Sequence, residues 1–157
     1  MGDIIPQFTL FSTNGKIFRF PEDLKKNRVV LVIYRKNLCT PCKTQLLFFK
    51  DEYQHILAAD AEVIAISYPP VEESKTMVNE LKLPFPILSD PQGKVLIMLN
   101  AINTNKLYSS GIIHSGLIYP TILICNNTGK VLFKLVTKKT ASPEELKNIL
   151  MVLANFQ

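Results

Sequence analysis

Residues 34 to 43 read Tyr34-Arg-Lys-Asn-Leu-Cys39-Thr-Pro-Cys42-Lys43 and join two segments with different hydrophobic patterns. The residues before them, Val29 to Tyr34, are apolar and mostly β-branched, which predicts a strand buried on both faces. The residues after Cys42 carry the apolar spacing of a helix. Two cysteines separated by two residues therefore fall where a strand turns into a helix, and we expect this turn to organise the chain.

The chemistry expected at this turn is that of reactive thiols. The first turn of a helix has backbone N–H groups without partners and the positive end of the helix dipole. A thiol placed there loses its proton more readily, and the thiolate is the reactive form. Arg35, Lys36 and Lys43 add positive charge nearby. The sequence thus predicts a thiol redox centre at Cys39 and Cys42.

Other uses of the same cysteines are open at this stage. A structural zinc site would need two further ligands, and the sequence has no second Cys-x-x-Cys or His pair. A copper site could combine Cys39 and Cys42 with His114, and a non-catalytic binding module could use the same loop. The third cysteine, Cys125, ends an apolar strand and is expected to be a buried thiol without a role. His55 is expected in solvent.

Composition narrows the class of protein. The 157 residues fit a single domain, 1–157, with one core. No apolar run approaches the roughly 18 residues of a membrane span, and the N-terminus lacks a signal-peptide pattern. Three cysteines are too few for a disulfide framework, which favours a reducing compartment, and we expect the cytoplasm. The net charge of +5 comes from scattered lysines, so neither nucleic acid nor membrane is an expected partner, and no cofactor is expected.

The remaining sequence alternates predicted strands and helices. Asn14-Gly15 predicts the turn of a hairpin over residues 5–20, because Asn-Gly is the strongest two-residue hairpin signal. Residues 100–118 are rich in Asn, Ser and Gly and predict a long loop. The other predicted elements are a short helical turn from Pro21, helices over 40–59, 71–81, 94–99 and 142–154, and strands over 28–34, 62–67, 85–90, 121–125 and 130–136.

Four further stretches give the chain a family resemblance. They are the opening Gly-Asp-x-x-Pro-x-Phe from Gly2, the Val-x-Val-Ile-Tyr that ends at Tyr34, Ala65-Ile-Ser, and Phe85-Pro-Ile-Leu-Ser-Asp-Pro-x-Gly. With the cysteine pair they resemble the redoxin branch of the thioredoxin fold, the alkyl hydroperoxide reductase/thiol-specific antioxidant family that includes peroxiredoxins. The resemblance implies an α/β thioredoxin-like fold, with a central mixed sheet, helices on both faces and an N-terminal β-hairpin.

The chain departs from the standard peroxiredoxin pattern Pro-x-x-x-Thr-x-x-Cys. When the last residue of that pattern aligns with Cys42, Arg35 takes the proline position and Cys39 the threonine position. The arginine of the family should fall near Tyr119, where this chain has Tyr119-Pro120-Thr121. That tripeptide resembles the cis-proline loop of thioredoxins, and the resemblance implies a cis bond before Pro120.

The resemblance also implies a function and a site. Cys39 and Cys42 would cycle between dithiol and disulfide to reduce hydroperoxides or protein disulfides, and a thioredoxin-like or other thiol reductant would restore the dithiol. Either cysteine could attack first; the thioredoxin arrangement favours Cys39, and the peroxiredoxin arrangement favours Cys42. The expected substrate-binding residues are Arg35, Thr40, Pro41, Tyr119 and Pro120.

Overall fold

A computed structural model describes residues 3–35, 39–103, 105, 117–138 and 140–155. Its strands are β1 (Phe8–Ser12), β2 (Ile17–Phe20), β3 (Arg28–Ile33), β4 (Ala61–Ser67), β5 (Ile87–Ser89), β6 (Thr121–Asn126) and β7 (Val131–Val136). Its helices are α1 (Thr40–Asp51), α2 (Tyr53–Ala58), α3 (Val71–Leu81), α4 (Lys94–Met98) and α5 (Pro143–Asn155).

The strands form one seven-stranded mixed sheet in the order β2-β1-β5-β4-β3-β6-β7. Strands β3, β4 and β5 are parallel to one another, and the other pairs are antiparallel. Ile33, the last residue of β3, is level with Ile66 of β4 and with Thr121 of β6. The C-terminal ends of β3 and β4 and the start of β6 therefore meet at one edge of the sheet.

Helices pack on both faces of the sheet, as predicted. The first face is covered by α1, α2, α3 and α5 through apolar residues that include Leu46, Phe49, Met77 and Ile149. On the second face α4 and the β1–β2 hairpin bury Val95, Leu96, Phe8 and Phe20 with the alternate residues of β3. All six residues of β3 are buried, because successive side chains enter opposite cores.

The predicted Asn14-Gly15 turn is confirmed, and a second turn and a helix cap are found towards the C-terminus. Gly15 has a φ of 84° in the β1–β2 turn, a conformation that costs glycine little. Gly129 closes the β6–β7 turn, where a Cβ would lie 2.9 Å from the carbonyl oxygen of Ile5. Ser142 and Glu145 exchange hydrogen bonds between backbone N–H and side chain, and this capping box starts α5.

The predicted helix over 40–59 and the predicted strand over 85–90 differ most from the observed elements. The helix predicted over 40–59 is broken at Glu52 into α1 and α2, and the apolar spacing misses the break because Phe49 and Ile56 still face the same core. The segment from Pro21 forms the predicted single turn, in which the Asp23 N–H donates to the Arg19 carbonyl and the Leu24 N–H to the Pro21 carbonyl. Strand β5 is shorter than predicted. Most of the loop predicted over 100–118, with His114, lies outside the described residues.

Candidate redox site

Cys39 forms the N-cap of α1. Its backbone is extended, with φ of −87° and ψ of 114°, and its Sγ accepts a hydrogen bond from the Cys42 N–H at 3.2 Å. Pro41 lies in the first turn, where its missing N–H would have had no partner. The predicted place of the cysteines, between a buried strand and a helix, is confirmed.

The two cysteines form a disulfide whose Cα atoms are 5.1 Å apart, within the usual range. They differ sharply in exposure. Cys42 is 1% exposed and belongs to the core on the first face of the sheet, whereas Cys39 is half-buried. Thr40 and Pro41, between them, are exposed. A molecule that arrives from solvent therefore meets the Cys39 sulfur before the Cys42 sulfur.

Tyr119 and Pro120 lie at the same sheet edge. Because Ile33 pairs with Thr121 in an antiparallel ladder, the chain before β6 runs alongside the chain that follows β3. The Tyr119 N–H donates to the Ala101 carbonyl at 2.7 Å, and the Pro120 carbonyl accepts the Thr137 N–H at 2.9 Å. Tyr119 is half-buried and Pro120 is buried.

The prediction of a cis peptide bond before Pro120 is wrong. In the part of the chain that the structure describes, the cis peptide bond joins Phe20 and Pro21, and the Tyr119–Pro120 bond is trans. The resemblance of Tyr119-Pro120-Thr121 to the cis-proline loop of thioredoxins was a match of residue types, which does not fix the isomer of the bond.

A buried hydroxyl cluster lies at this edge of the sheet. The Tyr34 side chain is fully buried and hydrogen-bonds to Ser67 and Ser74, whose hydroxyl oxygens are 3.0 Å apart. Burial raises the pKa of Tyr34 to about 12, although the two serine hydrogen bonds act in the opposite direction. Sequence reasoning missed this cluster, for which serines at the end of an apolar strand and in the first turn of a helix were the only signal.

The other candidate residues are placed away from the disulfide chemistry. Cys125 is a free, buried thiol, and burial raises its pKa to about 12. His55 is exposed and its Nδ1 lies 2.7 Å from a carboxylate oxygen of Glu52. No group of three or more His, Cys, Asp or Glu side chains within the described residues could hold a metal ion. The copper alternative depends on His114, which is outside those residues.

No helix in the described ranges has the length and apolar character that crossing a membrane requires.

A mixed sheet with a Cys-x-x-Cys disulfide at the start of the helix that follows β3 is the arrangement of a thioredoxin-like fold. The sequence profile of the AhpC/TSA family matches residues 1–134. The chain belongs to this family, as its motifs predict.

Named relatives agree with the family assignment. The chain is 31% identical to peroxiredoxin bcp1 of Schizosaccharomyces pombe over 101 residues, which are 64% of this chain and 52% of the relative. It is 35% identical to a chloroplastic peroxiredoxin Q of Triticum aestivum over 94 residues, 60% of this chain and 43% of the relative. The match thus spans about half the length of these relatives. The crystal structure of peroxidoxin BcpB from Mycobacterium tuberculosis superposes with a TM-score of 0.85 at 21% identity, over 99% of this chain and 97% of that one, which confirms the fold.

Proposed function

We propose that this protein is a peroxiredoxin-type thiol peroxidase that reduces hydroperoxides with Cys39 and Cys42. A dithiol donor such as a thioredoxin-like protein returns it to the reduced state. The observation that carries the proposal is the asymmetry of the disulfide, with Cys39 half-buried at the N-cap of α1 and Cys42 buried in the core. Membership of the AhpC/TSA family supports the same chemistry.

Cys39 is the attacking thiol in this proposal. The Cys42 N–H already points at its sulfur from 3.2 Å, and the positive end of the α1 dipole favours a thiolate at the N-cap. Lys43 adds a positive charge one turn into the helix, where its N–H donates to the Cys39 carbonyl. A thiolate at Cys42 would lack solvent, since that side chain is 1% exposed.

The reaction proceeds in two steps. The Cys39 thiolate attacks one peroxide oxygen, the O–O bond breaks, and the departing oxygen takes a proton to leave as water or an alcohol. The resulting Cys39 sulfenic acid is attacked by the Cys42 thiol, which forms the disulfide and releases water. Each turnover therefore oxidises two thiols and reduces one peroxide.

Re-reduction begins at the sulfur of half-buried Cys39, the more accessible of the two cysteines. A donor thiolate attacks Cys39, and Cys42 leaves and takes up a proton. The second donor thiol then breaks the mixed disulfide and leaves both cysteines reduced. Exposed Thr40 and Pro41, with half-buried Tyr119, are the proposed contact surface for substrate and donor, and Pro120, which is buried, is left out of it.

The proposed compartment is the cytoplasm, where thiol donors keep such a pair reduced. The name of the wheat relative describes that protein as chloroplastic. A soluble thiol donor, rather than nucleic acid or membrane, is the proposed partner.

Protein disulfides are a second candidate substrate. Cys39 stands where a standard peroxiredoxin carries threonine, and Cys39-Thr-Pro-Cys42 resembles the motif of disulfide reductases. A half-buried N-cap cysteine is also accessible to the sulfur of another protein. The trans bond before Pro120 removes one of the features that favoured this candidate.

Two assays run side by side separate the candidates. We expect the reduced protein to react with hydrogen peroxide and an alkyl hydroperoxide much faster than free cysteine does, and to leave the dithiothreitol-driven reduction of insulin disulfides unaccelerated. Peroxide rates no faster than free cysteine would sink the peroxidase proposal, and accelerated insulin reduction would support the second candidate. A redox titration tests the non-catalytic module, which predicts no reversible two-electron couple for the pair.

A further inference from the structure

The guanidinium of Arg35 joins two separate segments of chain at the sheet edge where β3 ends. Its Nε donates to the carbonyl oxygen of Ile118 at 3.4 Å, and its Nη2 donates to the carbonyl oxygen of Lys138 at 3.1 Å. Ile118 immediately precedes Tyr119 and Pro120, and Lys138 follows β7. A single half-buried side chain at the end of β3 thus fixes the entry to β6 and the exit from β7.

The exit from β7 is also tied to the redox helix itself. Buried Gln45, one turn beyond Cys42 on α1, accepts the Ala141 N–H at 3.0 Å. Thr137 donates to the Pro120 carbonyl from its N–H and from its hydroxyl. The Arg35 hydrogen bonds are therefore part of a set that holds these two segments to each other and to α1.

The charge of Arg35 is not neutralised by these bonds, because backbone carbonyls are uncharged acceptors. The ion pairs found in the described residues are His55–Glu52 and Lys75–Glu72, and neither involves Arg35. An arginine guanidinium carries a positive charge. A positive charge is consequently held in a fixed place four residues before Cys39.

We propose that Arg35 is a positioning residue of the redox centre rather than a ligand for substrate. Its guanidinium holds the segments around Ile118 and Lys138 beside the cysteines and keeps there an unneutralised charge that stabilises the Cys39 thiolate. This inference rests on the proposed function, in which Cys39 attacks first. It replaces the substrate-binding role that the sequence predicts for Arg35.

Other charged groups lie on the elements packed around α1. Lys43 is on α1 itself, and Lys138 belongs to the segment that Arg35 holds. Glu72 and Glu73 are in the first turn of α3, and the Glu145 carboxylate is occupied by the Ser142 N–H. These groups stay the same in every Arg35 variant, so differences between variants report on Arg35.

The charge is tested by the pH dependence of Cys39 alkylation in a Cys42→Ser background. The rate of Cys39 alkylation by iodoacetamide is measured in three proteins, one that keeps Arg35 and two that carry Arg35→Lys or Arg35→Met. Mass spectrometry identifies the modified peptide. Since a nearby opposite charge favours the thiolate, we expect Arg35→Met to raise the midpoint by about half a pH unit and Arg35→Lys to change it little. The difference should shrink in 1 M salt, where the screening length falls to about 3 Å.

The role of the Arg35 hydrogen bonds to Ile118 and Lys138 is tested by amide hydrogen exchange on the oxidised protein with both cysteines present. Arg35→Lys and Arg35→Met should each speed exchange in peptides covering 117–121 and 137–141, because neither side chain reproduces the guanidinium fork. Exposed Arg19, on the edge strand β2, provides the matched control. Arg19→Met should change neither the exchange of these peptides nor the alkylation midpoint.

The results separate this inference from the function on which it rests. The role of Arg35 alone is overturned if the Cys39 alkylation midpoint is low and does not change in Arg35→Met. It is also overturned if the amide exchange rates of the two peptides change in neither variant. A midpoint equal to that of a free cysteine peptide, with Arg35 present, contradicts Cys39 as the attacking thiol.

Discussion

Cys39 and Cys125 are thiol side chains of one small protein in opposite surroundings. Cys39 is half-buried at a helix N-cap, where the Cys42 N–H donates to its sulfur. Cys125 lies in β6 opposite Val29, is 0% exposed, and has its pKa raised to about 12 by burial. The two differ in access to solvent and in access to N–H donors, which are two of the properties that set thiolate reactivity.

The position of a cysteine in the fold, rather than the residue type, therefore determines how reactive its thiol is. A sheet interior offers a thiol no polar partner, because its N–H groups are already paired in the ladder. A helix start offers unpaired N–H groups and an opening to solvent. Predictions that exchange or remove these properties test the comparison directly.

The largest expected effect is the loss of peroxidase turnover in Cys39→Ser. A serine hydroxyl at the N-cap can still accept the Cys42 N–H, so α1 should form, but the nucleophile is gone. We expect peroxide consumption to fall by at least about a thousandfold, since the loss of its nucleophile can cost an enzyme about a millionfold in rate. Stopped-flow measurement of the reduced proteins gives the rates.

Two other cysteine variants calibrate that loss. Cys125→Ala should keep the full rate, because the buried thiol takes no part. Cys42→Ser should still consume one equivalent of peroxide, because Cys39 can be oxidised without its resolving partner. If Cys39→Ser kept the initial rate while Cys42→Ser lost it, the order of attack would be the reverse of the one proposed.

The fold was largely predictable from the sequence because apolar patterning dominates it. The residues of β3 after Arg28 are apolar and enter two cores, so the pattern of this segment predicts a buried strand. The Asn14-Gly15 turn and the Ser142–Glu145 capping box are local devices whose residues determine their geometry. The break at Glu52 was not predictable, because the apolar spacing on both sides of it serves one core face.

The site was predictable only where it is local in sequence. Cys39 and Cys42 share a helical turn, so their spacing is enough to place them together. The partners of Arg35 lie 83 and 103 residues away along the chain and depend on how β6 and β7 pair. The Tyr34 cluster likewise needs α3 docked on the sheet, and no pattern within a single segment encodes that contact.

A smaller effect is expected on stability at alkaline pH. Burial raises the pKa of Cys125 from its ordinary value of 9.0 to about 12, so above pH 9 the unfolded chain loses this proton while the folded protein keeps it. The stability linked to Cys125 is therefore complete below pH 9 and is lost as the pH rises from 9 towards 12. Between pH 9 and 11 we expect a loss of about 2 kcal/mol in the free energy of unfolding from this thiol.

Urea unfolding at several pH values measures that loss, and Cys125→Ala isolates it. The variant is expected to be less stable at pH 7 because of its lost packing, by an amount that does not depend on pH. Its stability should fall less steeply than that of the wild-type protein above pH 9. Parallel curves for the two proteins would mean that Cys125 ionises in the folded state about as easily as in the unfolded one.

The smallest effect is expected from Tyr34→Phe, which compares two buried groups whose pKa values are both raised to about 12. Cys125 is raised by burial alone, whereas Tyr34 is buried with Ser67 and Ser74 as hydrogen-bond partners. The variant keeps the ring and removes the hydroxyl, and the two serines, 3.0 Å apart, can still bond to each other. We therefore expect it to lower the free energy of unfolding by only about 1 kcal/mol.

Ser89→Ala is the matched control for a buried hydroxyl at the same sheet edge. Ser89 pairs with Ser67 in the sheet, and among the described residues its buried hydroxyl has no hydrogen-bond partner. Removing an unpaired hydroxyl leaves nothing unsatisfied, so this variant should be as stable as the wild-type protein or slightly more stable. Chemical denaturation at pH 7 ranks the three proteins. If Tyr34→Phe were no less stable than Ser89→Ala, the serine contacts of Tyr34 would contribute nothing, and its hydroxyl would be merely tolerated by the fold.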